Sequence, residues 1–162
     1  MECKGIEGMK RTVMCSQPRF ADVGKEITVA GWVQRRRDLG NLLFLDLRDR
    51  TGILQLAFDD KTDKEVFEEA SHCRSEYVVA ARGVVRKRES ANTELATGEV
   101  ELFVTEFRIL SEAKTTPFEI VDDVKAGIDL RLKYRYLDLR RNEIQNALMV
   151  RHKIAKTARD YF

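Results

Sequence analysis

The sequence predicts a mainly β protein whose central feature is a small closed barrel of five strands. Apolar and polar residues alternate with period two over five segments, which is typical of half-buried strands. One short amphipathic helical pattern interrupts this alternation between the third and fourth segments. Gly31 and Gly83 lie inside two of the predicted strands, where a glycine allows a bulge or a barrel bend. An open five-stranded sheet is the competing architecture, but it would leave these glycines unexplained.

The composition is that of an intracellular globular protein. The 162 residues are 43% apolar and 35% charged, with a formal net charge of +2, so affinity for nucleic acid has to come from local clusters of cations. The three cysteines show no CxxC spacing, which argues against a disulfide framework or a zinc site and fits a reducing cytosol. The sequence shows neither a secretory signal nor an apolar segment long enough to span a bilayer. We therefore expect a soluble, cytoplasmic protein without membrane association.

The predicted elements follow in chain order. Residues 1–9 are expected to form a flexible extension, and residues 10–110 form the barrel domain. The alternation predicts strands over five ranges: 25–36, 42–48, 53–58, 77–88 and 99–110. After the third strand, one face of a predicted helix collects four side chains: Val66, Phe67, Ala70 and Cys73. Five strands in this order, with a helix between the third and fourth, are typical of the OB-fold, a Greek-key barrel that binds oligonucleotides.

A second region follows the barrel. Residues 111–128 contain Pro117 and Gly127 among mixed polar residues, and we interpret them as a hinge. In residues 129–162, Asn142 and Gln145 have the spacing of a capping box. An apolar stripe then continues at helical spacing through Ala147, Val150, Ile154, Ala158 and Tyr161. Because nothing obvious remains for this stripe to pack against, we interpret 129–162 as the first helical segment of a truncated domain in a larger protein.

The segment Gly31–Arg50 carries the strongest functional signal. The leucines of the second predicted strand share its core face, so Phe44 points to the other face, beside the arginines at 35–37. An outward ring can stack on a base and neighbouring cations can bind phosphates, as recognition of single-stranded nucleic acid requires. Alternatively, Phe44 packs under a loop and the arginines form a solvated edge, which is the commoner situation for one aromatic residue considered alone. The arginine cluster favours the nucleic-acid interpretation.

Three segments carry a family resemblance: GWVQRRRDLGNLLFLDLRDRTGILQLAF, ATGEVEL and LRLKYRYLDLRRNEI. Together they closely resemble the N-terminal part of bacterial-type aspartyl-tRNA synthetases, over residues 10–162. Related lysine and asparagine enzymes share the barrel and an RYLDL-like segment, but the RRRDLG turn is most similar to the aspartate enzymes. The resemblance implies that the barrel binds the tRNA anticodon. It also implies that a hinge leads to a class II catalytic domain, which makes the aspartyl adenylate and charges the tRNA.

The resemblance implies an anticodon-binding site on the outer face of the barrel, with seven residues: Arg35, Arg37, Phe44, Gln55, Arg86, Arg88 and Glu101. In this site Phe44 stacks on the middle anticodon base and Gln55 hydrogen-bonds its edge. Glu101 reads a base at one end of the anticodon. The arginines on the first strand meet the first anticodon base and nearby phosphates, and those on the fourth strand hold the backbone. Each polar residue could instead be an ordinary surface side chain, and Glu101 would repel phosphate.

The resemblance also implies partners and cofactors. The whole enzyme would use ATP and Mg²⁺, form a homodimer, and bind aspartate tRNA and, in some members, asparagine tRNA. This chain alone is expected to contain no catalytic residues, cofactor or metal site, and His72 and His152 receive no role. Two alternatives remain open: a free-standing OB-fold RNA-binding module, and a non-specific single-strand-binding barrel. The latter would bind with little regard to base identity and with strong dependence on salt.

Overall fold

The computed structural model describes residues 5–162 of the chain. It divides into two compact units, Met1–Thr115 and Thr116–Phe162. The division falls inside the range for which the sequence predicts a hinge.

The first unit is a closed five-stranded barrel with the strand order β1-β2-β3-β5-β4. The strands span β1 Glu26–Asp38, β2 Leu43–Arg48, β3 Ile53–Phe58, β4 Val78–Lys87 and β5 Val100–Ser111. Neighbouring strands are antiparallel except β3 and β5, which pair in parallel, and β4 closes the barrel against β1. This topology confirms the predicted OB-fold.

The barrel interior is filled by the alternating apolar side chains that predicted the strands. Leu43, Leu45 and Leu47 of β2 are fully buried, as are Leu54 and Leu56 of β3. At one end of the core Phe58 and Phe107 meet edge to face, with their ring centroids 5.4 Å apart. Burial of each such side chain stabilises the fold by about 1.5–3 kcal/mol, so the inward residues fix the register and thereby assign the remaining residues to the outer face.

The two interior glycines serve different purposes. At Gly83 the register between β4 and β5 shifts, and a Cβ would lie 1.9 Å from the Phe103 carbonyl oxygen. This is the bulge that the sequence predicts. At Gly31 the pairing of β1 with β4 stays in register, and the glycine is needed because a Cβ would lie 2.4 Å from the Arg48 carbonyl oxygen of β2. The bulge of β1 instead lies between Val33 and Arg35.

The first strand is longer than predicted. It continues through Asp38, so Arg37 belongs to the strand and not to the turn. After its bulge, β1 places Arg35 opposite Asp46 and Arg37 opposite Phe44. The turn is correspondingly shorter: Leu39 N–H donates to Leu42 O, and Gly40 has a φ of +83°.

The predicted helix between the third and fourth strands is present as α1, Lys64–Ser71. The Asp63 carboxylate accepts a hydrogen bond from Glu65 N–H and caps the helix N-terminus. Ala70 is fully buried, and Val66 and Phe67 pack against the barrel core. The helix therefore covers part of the barrel interior.

The structure differs from the prediction of a flexible extension over residues 1–9. The first four residues lie outside the described part of the chain. Met9, however, is fully buried. The carbonyl oxygens of Gly5 and Glu7 accept hydrogen bonds from Arg108, and that of Gly8 accepts one from Arg82. These contacts bind residues 5–9 to the barrel, because a buried methionine and paired carbonyl groups are removed from solvent.

The second unit contains three helices: α2 Ile128–Lys133, α3 Arg135–Asp138 and α4 Asn142–Tyr161. Its small core consists of Phe118, Ile120 and Leu137, so part of the predicted hinge is packed. The Asp138 carboxylate is 1% exposed and accepts hydrogen bonds from Arg141 and Arg135 at 2.8 and 3.0 Å.

The capping box predicted at Asn142 and Gln145 is wrong. Arg141 occupies the N-cap position, and no side chain caps the helix there. The Asp122 carboxylate accepts the Glu143 N–H at 2.9 Å instead, while Gln145 Nε2 donates to Arg140 O. A residue distant in sequence thus replaces the local cap.

The long helix α4 contains no buried residue in the described chain, and apolar side chains such as Val150 and Ile154 are exposed on it. In the described part of the chain, no helix combines the length and apolar character needed to cross a membrane.

Candidate nucleic-acid interface

The outer face of the barrel carries two adjacent rows of side chains across β2, β3, β5 and β4. The sheet register places Phe44 opposite Ala57, and Ala57 opposite Phe103. We call these three residues the aromatic row. The second row, which we call the polar row, consists of Asp46 of β2, Gln55 of β3, Glu101 of β5 and Arg86 of β4. Gln55 and Glu101 lie two residues before Ala57 and Phe103. Asp46 and Arg86 are their partners on the neighbouring strands. Both rows stand on paired strands, which gives their side chains a rigid base.

Hydrogen bonds join the side chains of the polar row and Arg37 into one continuous network. Arg37 Nη2 donates to Asp46 Oδ1 at 2.9 Å and to Gln55 Oε1 at 2.8 Å. Gln55 Nε2 donates to Glu101 Oε2 at 2.6 Å. Arg86 Nε then donates to Glu101 Oε1 at 2.7 Å. These bonds fix the Gln55 amide, because its oxygen must face the arginine and its nitrogen must face the carboxylate.

Gln55 and Glu101 lie on the outer face, as predicted, but they are more buried than surface residues. Only 5% of Gln55 and 4% of Glu101 is exposed, because the hydrogen-bonded side chains of Arg37 and Arg86 flank them. Each buried group retains further hydrogen-bonding capacity, since an amide offers two donors and each oxygen accepts more than one bond. The arrangement suits recognition of a base edge by donors and acceptors that are oriented before the ligand arrives.

An arginine lies over each ring of the aromatic row. The guanidinium carbon of Arg37 is 5.8 Å from the Phe44 ring centroid, and that of Arg86 is 4.9 Å from the Phe103 centroid. Both phenylalanines are partly exposed. Cation–π contacts at such distances are worth about 0.5–1 kcal/mol at exposed sites, which is weak enough for a ligand with a flat aromatic base to replace them.

The charge of Arg86 is firmly held. Burial lowers the pKa of its guanidinium, but hydrogen bonds to Asp59 and Glu101 outweigh that effect and raise the pKa above its ordinary value. Arg86 Nη1 lies 2.9 Å from Asp59 Oδ2. Burial raises the pKa of Asp59. The hydrogen bonds from Arg86 and from Lys61 N–H lower this pKa by more than burial raises it, so it lies below its usual value. Both groups are therefore charged at neutral pH.

The remaining predicted arginines stand beside the two rows. Arg35 is exposed and its backbone pairs with Asp46 across β1 and β2. Arg88 is partly exposed, one residue beyond β4, and its backbone N–H donates to Glu99 O. Arg36, between the predicted site residues, forms a surface ion pair with Asp38 at 2.5 Å. Of the seven predicted residues, the structure thus joins Arg37, Gln55, Glu101 and Arg86 through side-chain hydrogen bonds, and Phe44 through its contact with Arg37.

A cleft of about 450 Å³ opens beside Asp59 at one end of the polar row. Its lining comes from the β1–β2 turn, the β3–α1 loop and helix α1: Gly40, Asn41, Asp59, Asp60, Thr62, Lys64, Phe67, Glu68 and Ser71. Since Asp59 also holds Arg86, the cleft continues the interface toward the helix side of the barrel.

Sequence reasoning missed three members of the interface: Asp46, Asp59 and Phe103. Asp46 and Phe103 had a signal, because each occupies an outward position in a strand whose alternation was clear. Asp59 had none, since it follows β3 in a polar turn and meets Arg86 only after the chain has passed through helix α1.

Other reactive groups belong to the fold. Cys15 is fully buried and its N–H donates to Asp49 Oδ2 at 2.8 Å. Burial raises the pKa of Cys15, and burial also raises the pKa of Cys73 to about 12. Neither thiol is available as a nucleophile. Within residues 5–162, no three or more His, Cys, Asp or Glu side chains gather in a way that could hold a metal ion.

A closed barrel of this topology, with aromatic rings and arginines on its outer face, defines the class of OB-fold proteins that bind single-stranded nucleic acid. The tRNA anticodon family, an OB-fold nucleic acid binding domain, matches residues 27–110, and the chain belongs to this family. A second family, tRNA synthetases class II (D, K and N), matches residues 127–162.

Curated relatives match almost the whole chain. An aspartate–tRNA ligase of Clostridium botulinum (strain Loch Maree / Type A3) is 48% identical over 158 residues, and that of Clostridium tetani is 50% identical over 158 residues. Each match covers 98% of this chain and 27% of the relative. The chain therefore spans about a quarter of the length of these relatives.

Solved structures agree with the fold. The asparaginyl-tRNA synthetase of Pyrococcus horikoshii complexed with asparaginyl-adenylate is 27% identical, with a TM-score of 0.76 over 94% of this chain and 34% of that chain. The aspartyl-tRNA synthetase of Entamoeba histolytica superposes with a TM-score of 0.85 over 96% of this chain and 37% of that chain, and its identity of 23% supports the fold alone.

Proposed function

We propose that this chain is the anticodon-binding part of an aspartate–tRNA ligase, which attaches aspartate to its tRNA. The observation that carries this proposal is the hydrogen-bond network that runs from Arg37 through Gln55 and Glu101 to Arg86, next to Phe44. The relatives named aspartate–tRNA ligase support the choice of substrate. A buried, oriented amide and carboxylate beside a stacking ring suit the reading of particular bases.

In this proposal the middle anticodon base stacks on Phe44 and displaces the Arg37 guanidinium from the ring. The Gln55 amide presents both an acceptor and a donor, which matches the O4 and N3–H groups on the edge of uracil. Glu101 accepts N–H groups of a neighbouring base. Arg35 and Arg37 meet the first anticodon base and nearby phosphates, while Arg86 and Arg88 hold the backbone.

The whole enzyme, in this proposal, acts in the cytoplasm, forms a homodimer and uses ATP and Mg²⁺. In this proposal the ATP and Mg²⁺ belong to the remainder of the enzyme, because this chain spans 27% of the length of its curated relatives. We therefore assign no catalytic step to this chain. Aspartate tRNA is the proposed partner, and asparagine tRNA is a second partner if the anticodon site tolerates both.

A second candidate is a barrel that binds any single strand, since the arginines and rings on the outer face would also serve that purpose. Such binding uses stacking and phosphate contacts, which need no fixed hydrogen-bonding groups. The buried Gln55 and Glu101 favour the anticodon reader, because burial of polar groups on a face that needed only charge would bring no benefit.

Fluorescence titration of the chain with an anticodon stem-loop tests the proposal. The loop carries GUC, and matched loops change one anticodon base at a time while the stem stays the same. We expect a large loss of affinity when the middle U is changed, about 1–3 kcal/mol for one wrongly paired base edge. Equal affinity for all loops, together with a steep salt dependence, would instead indicate the non-specific binder.

A further inference from the structure

We propose that Phe103 is a second stacking platform, which receives the nucleotide adjacent to the one on Phe44 after Arg86 has moved off the ring. This proposal rests on the proposed anticodon-binding function and adds a residue to its site. It comes from three features of the described chain: the position of Phe103 in the aromatic row, the small residue between the two rings, and the arginine over the second ring.

The register places the two rings on the same face at a useful separation. Phe44 and Phe103 flank Ala57 on consecutive paired strands, so they stand two strand spacings apart, about 10 Å. Two unstacked neighbouring nucleotides can span this distance. Sheets that bind single-stranded RNA stack two or three bases on aromatic residues of adjacent strands, and the aromatic row offers the same arrangement.

The residue between the rings is small. Ala57 has only a methyl side chain, which neighbouring side chains cover completely, so no side chain of β3 itself rises between Phe44 and Phe103. A larger residue at this position would separate the two platforms. The polar row runs beside the aromatic row, so bases stacked on both rings would direct their edges toward Gln55 and Glu101.

Arg86 covers the second platform in the free protein. Its guanidinium carbon lies 4.9 Å from the Phe103 ring centroid, while its nitrogens bond Asp59 and Glu101 at 2.9 and 2.7 Å. The side chain of Arg86 is 36% exposed, so it can move toward solvent without opening the core. Glu101 then accepts N–H groups of the bound base in place of Arg86 Nε. When a base takes its place over the ring, Arg86 remains beside the nucleotide as a cation for the phosphate.

The test combines variants of Phe103 with abasic nucleotides in the GUC stem-loop. Affinities are measured for the wild-type chain, Phe103→Leu and Phe103→Tyr, each against the intact loop and three loops that lack one anticodon base. The leucine variant removes the ring but keeps an apolar side chain, and the tyrosine variant keeps the ring. A second measurement follows the Phe103 ring resonance of ¹³C-phenylalanine-labelled wild-type chain, so the result does not depend on the folding of a variant.

We expect Phe103→Leu to bind the intact loop about 5- to 150-fold more weakly, the usual range for one base–aromatic stack, and Phe103→Tyr to bind as the wild type does. The loss should vanish on one abasic loop only, at a position next to the middle base. The wild-type Phe103 resonance should shift with the intact loop and stay unshifted with that abasic loop.

Two results would overturn the proposal of a second platform alone. In the first, the chain binds the GUC loop selectively and Phe103→Leu leaves its affinity unchanged. In the second, the Phe103 resonance responds equally to the intact loop and to all three abasic loops. A wild-type chain that binds every loop equally, or none, would overturn the anticodon-binding function and with it this proposal. The failures of the two proposals are thereby distinguished.

Discussion

At the scale of single residues, Gln55 owes its orientation to its neighbours. Its amide oxygen faces Arg37 and its amide nitrogen faces Glu101, at 2.8 and 2.6 Å. An amide rotated by 180° would place its N–H₂ against the guanidinium and its oxygen against the carboxylate, leaving like groups in contact. The donor–acceptor pattern that Gln55 presents to a ligand is therefore fixed in the free protein.

Replacing Gln55 with glutamate tests this account of the polar row. In Gln55→Glu a carboxylate would face Glu101 across a distance suited to a hydrogen bond, so we expect a loss of about 1–3 kcal/mol in the free energy of unfolding near neutral pH. The repulsion raises the pKa of the new carboxyl group. Protonation at lower pH should therefore reduce the loss, and urea denaturation from about pH 8 to about pH 5 measures it.

Gln55→Met is the matched control, because it removes both hydrogen bonds without adding a charge. Its loss of stability should not change with pH over the same range. If the glutamate and methionine variants lost equal stability at every pH, Gln55 would not lie within hydrogen-bonding reach of the Glu101 carboxylate.

Phe44→Ala tests the first platform. Phe44 is partly exposed on the outer face, so its loss should weaken binding of the GUC loop by about 1–3 kcal/mol while the barrel stays folded. Calorimetry measures the folding and titration measures the binding. Phe20→Ala, at an aromatic residue that is 55% exposed outside the two rows, is the control and should bind normally. Unfolding of the barrel in Phe44→Ala would identify Phe44 as a core residue.

At the scale of elements, close approach of strands decides which glycines are essential. Gly83 lies at the β4–β5 bulge, where a Cβ would meet the carbonyl oxygen and carbon of Phe103 at 1.9 and 2.8 Å. The obstruction is backbone, which cannot turn away as a side chain can. Gly40 has open space around it, and its constraint is the φ of +83° alone.

We therefore expect Gly83→Ala to destabilise the barrel by about 3 kcal/mol or more, since the two strands must separate. Gly40→Ala should cost about 1–2 kcal/mol, the penalty of a left-handed conformation with a Cβ. Urea denaturation of both variants gives the comparison. Equal losses in the two variants would mean that the β4–β5 contact yields easily, contrary to the paired register.

The sequence predicted the barrel and the outward positions of Phe44, Gln55 and Glu101, because alternation alone fixes which face a strand residue takes. It did not predict the burial of Gln55 and Glu101. That burial depends on contacts with partners 18 and 46 residues away for Gln55, and 15 residues away for Glu101. The bulge after Val33 was also missed, since it lies in a run of polar residues without a glycine.

At the scale of the whole molecule, the interface and the thiols are separated by the sheet. Cys15 and Cys73 belong to the barrel core, whereas the two rows lie on the outer face. Burial raises the pKa of both thiols, that of Cys73 to about 12. Because their pKa values are raised in the folded state, the two thiols contribute stability that is fully present below the unfolded pKa of about 8.5. This contribution is lost as the pH rises from that value through the pKa of the folded state.

In a Cys3→Ser background, a thiol reagent at mildly alkaline pH should therefore leave Cys15 and Cys73 unmodified while the chain is folded. Both should react after unfolding in urea, and mass spectrometry counts the modified thiols. The same reaction with the wild-type chain provides the comparison for Cys3. Rapid modification of Cys73 in the folded chain would show that the end of the barrel next to α1 opens readily.

The central claim is that the outer face of the barrel reads the middle anticodon base. The most direct measurement is a photocrosslink from 4-thiouridine at the middle position of the GUC stem-loop, followed by tryptic digestion and mass spectrometry. The account predicts attachment to the peptide of residues 38–48, which contains Phe44 and Asp46, or to that of residues 51–61, which contains Gln55. Attachment to residues of helix α1 or of the second unit, by a loop that binds selectively, would contradict it.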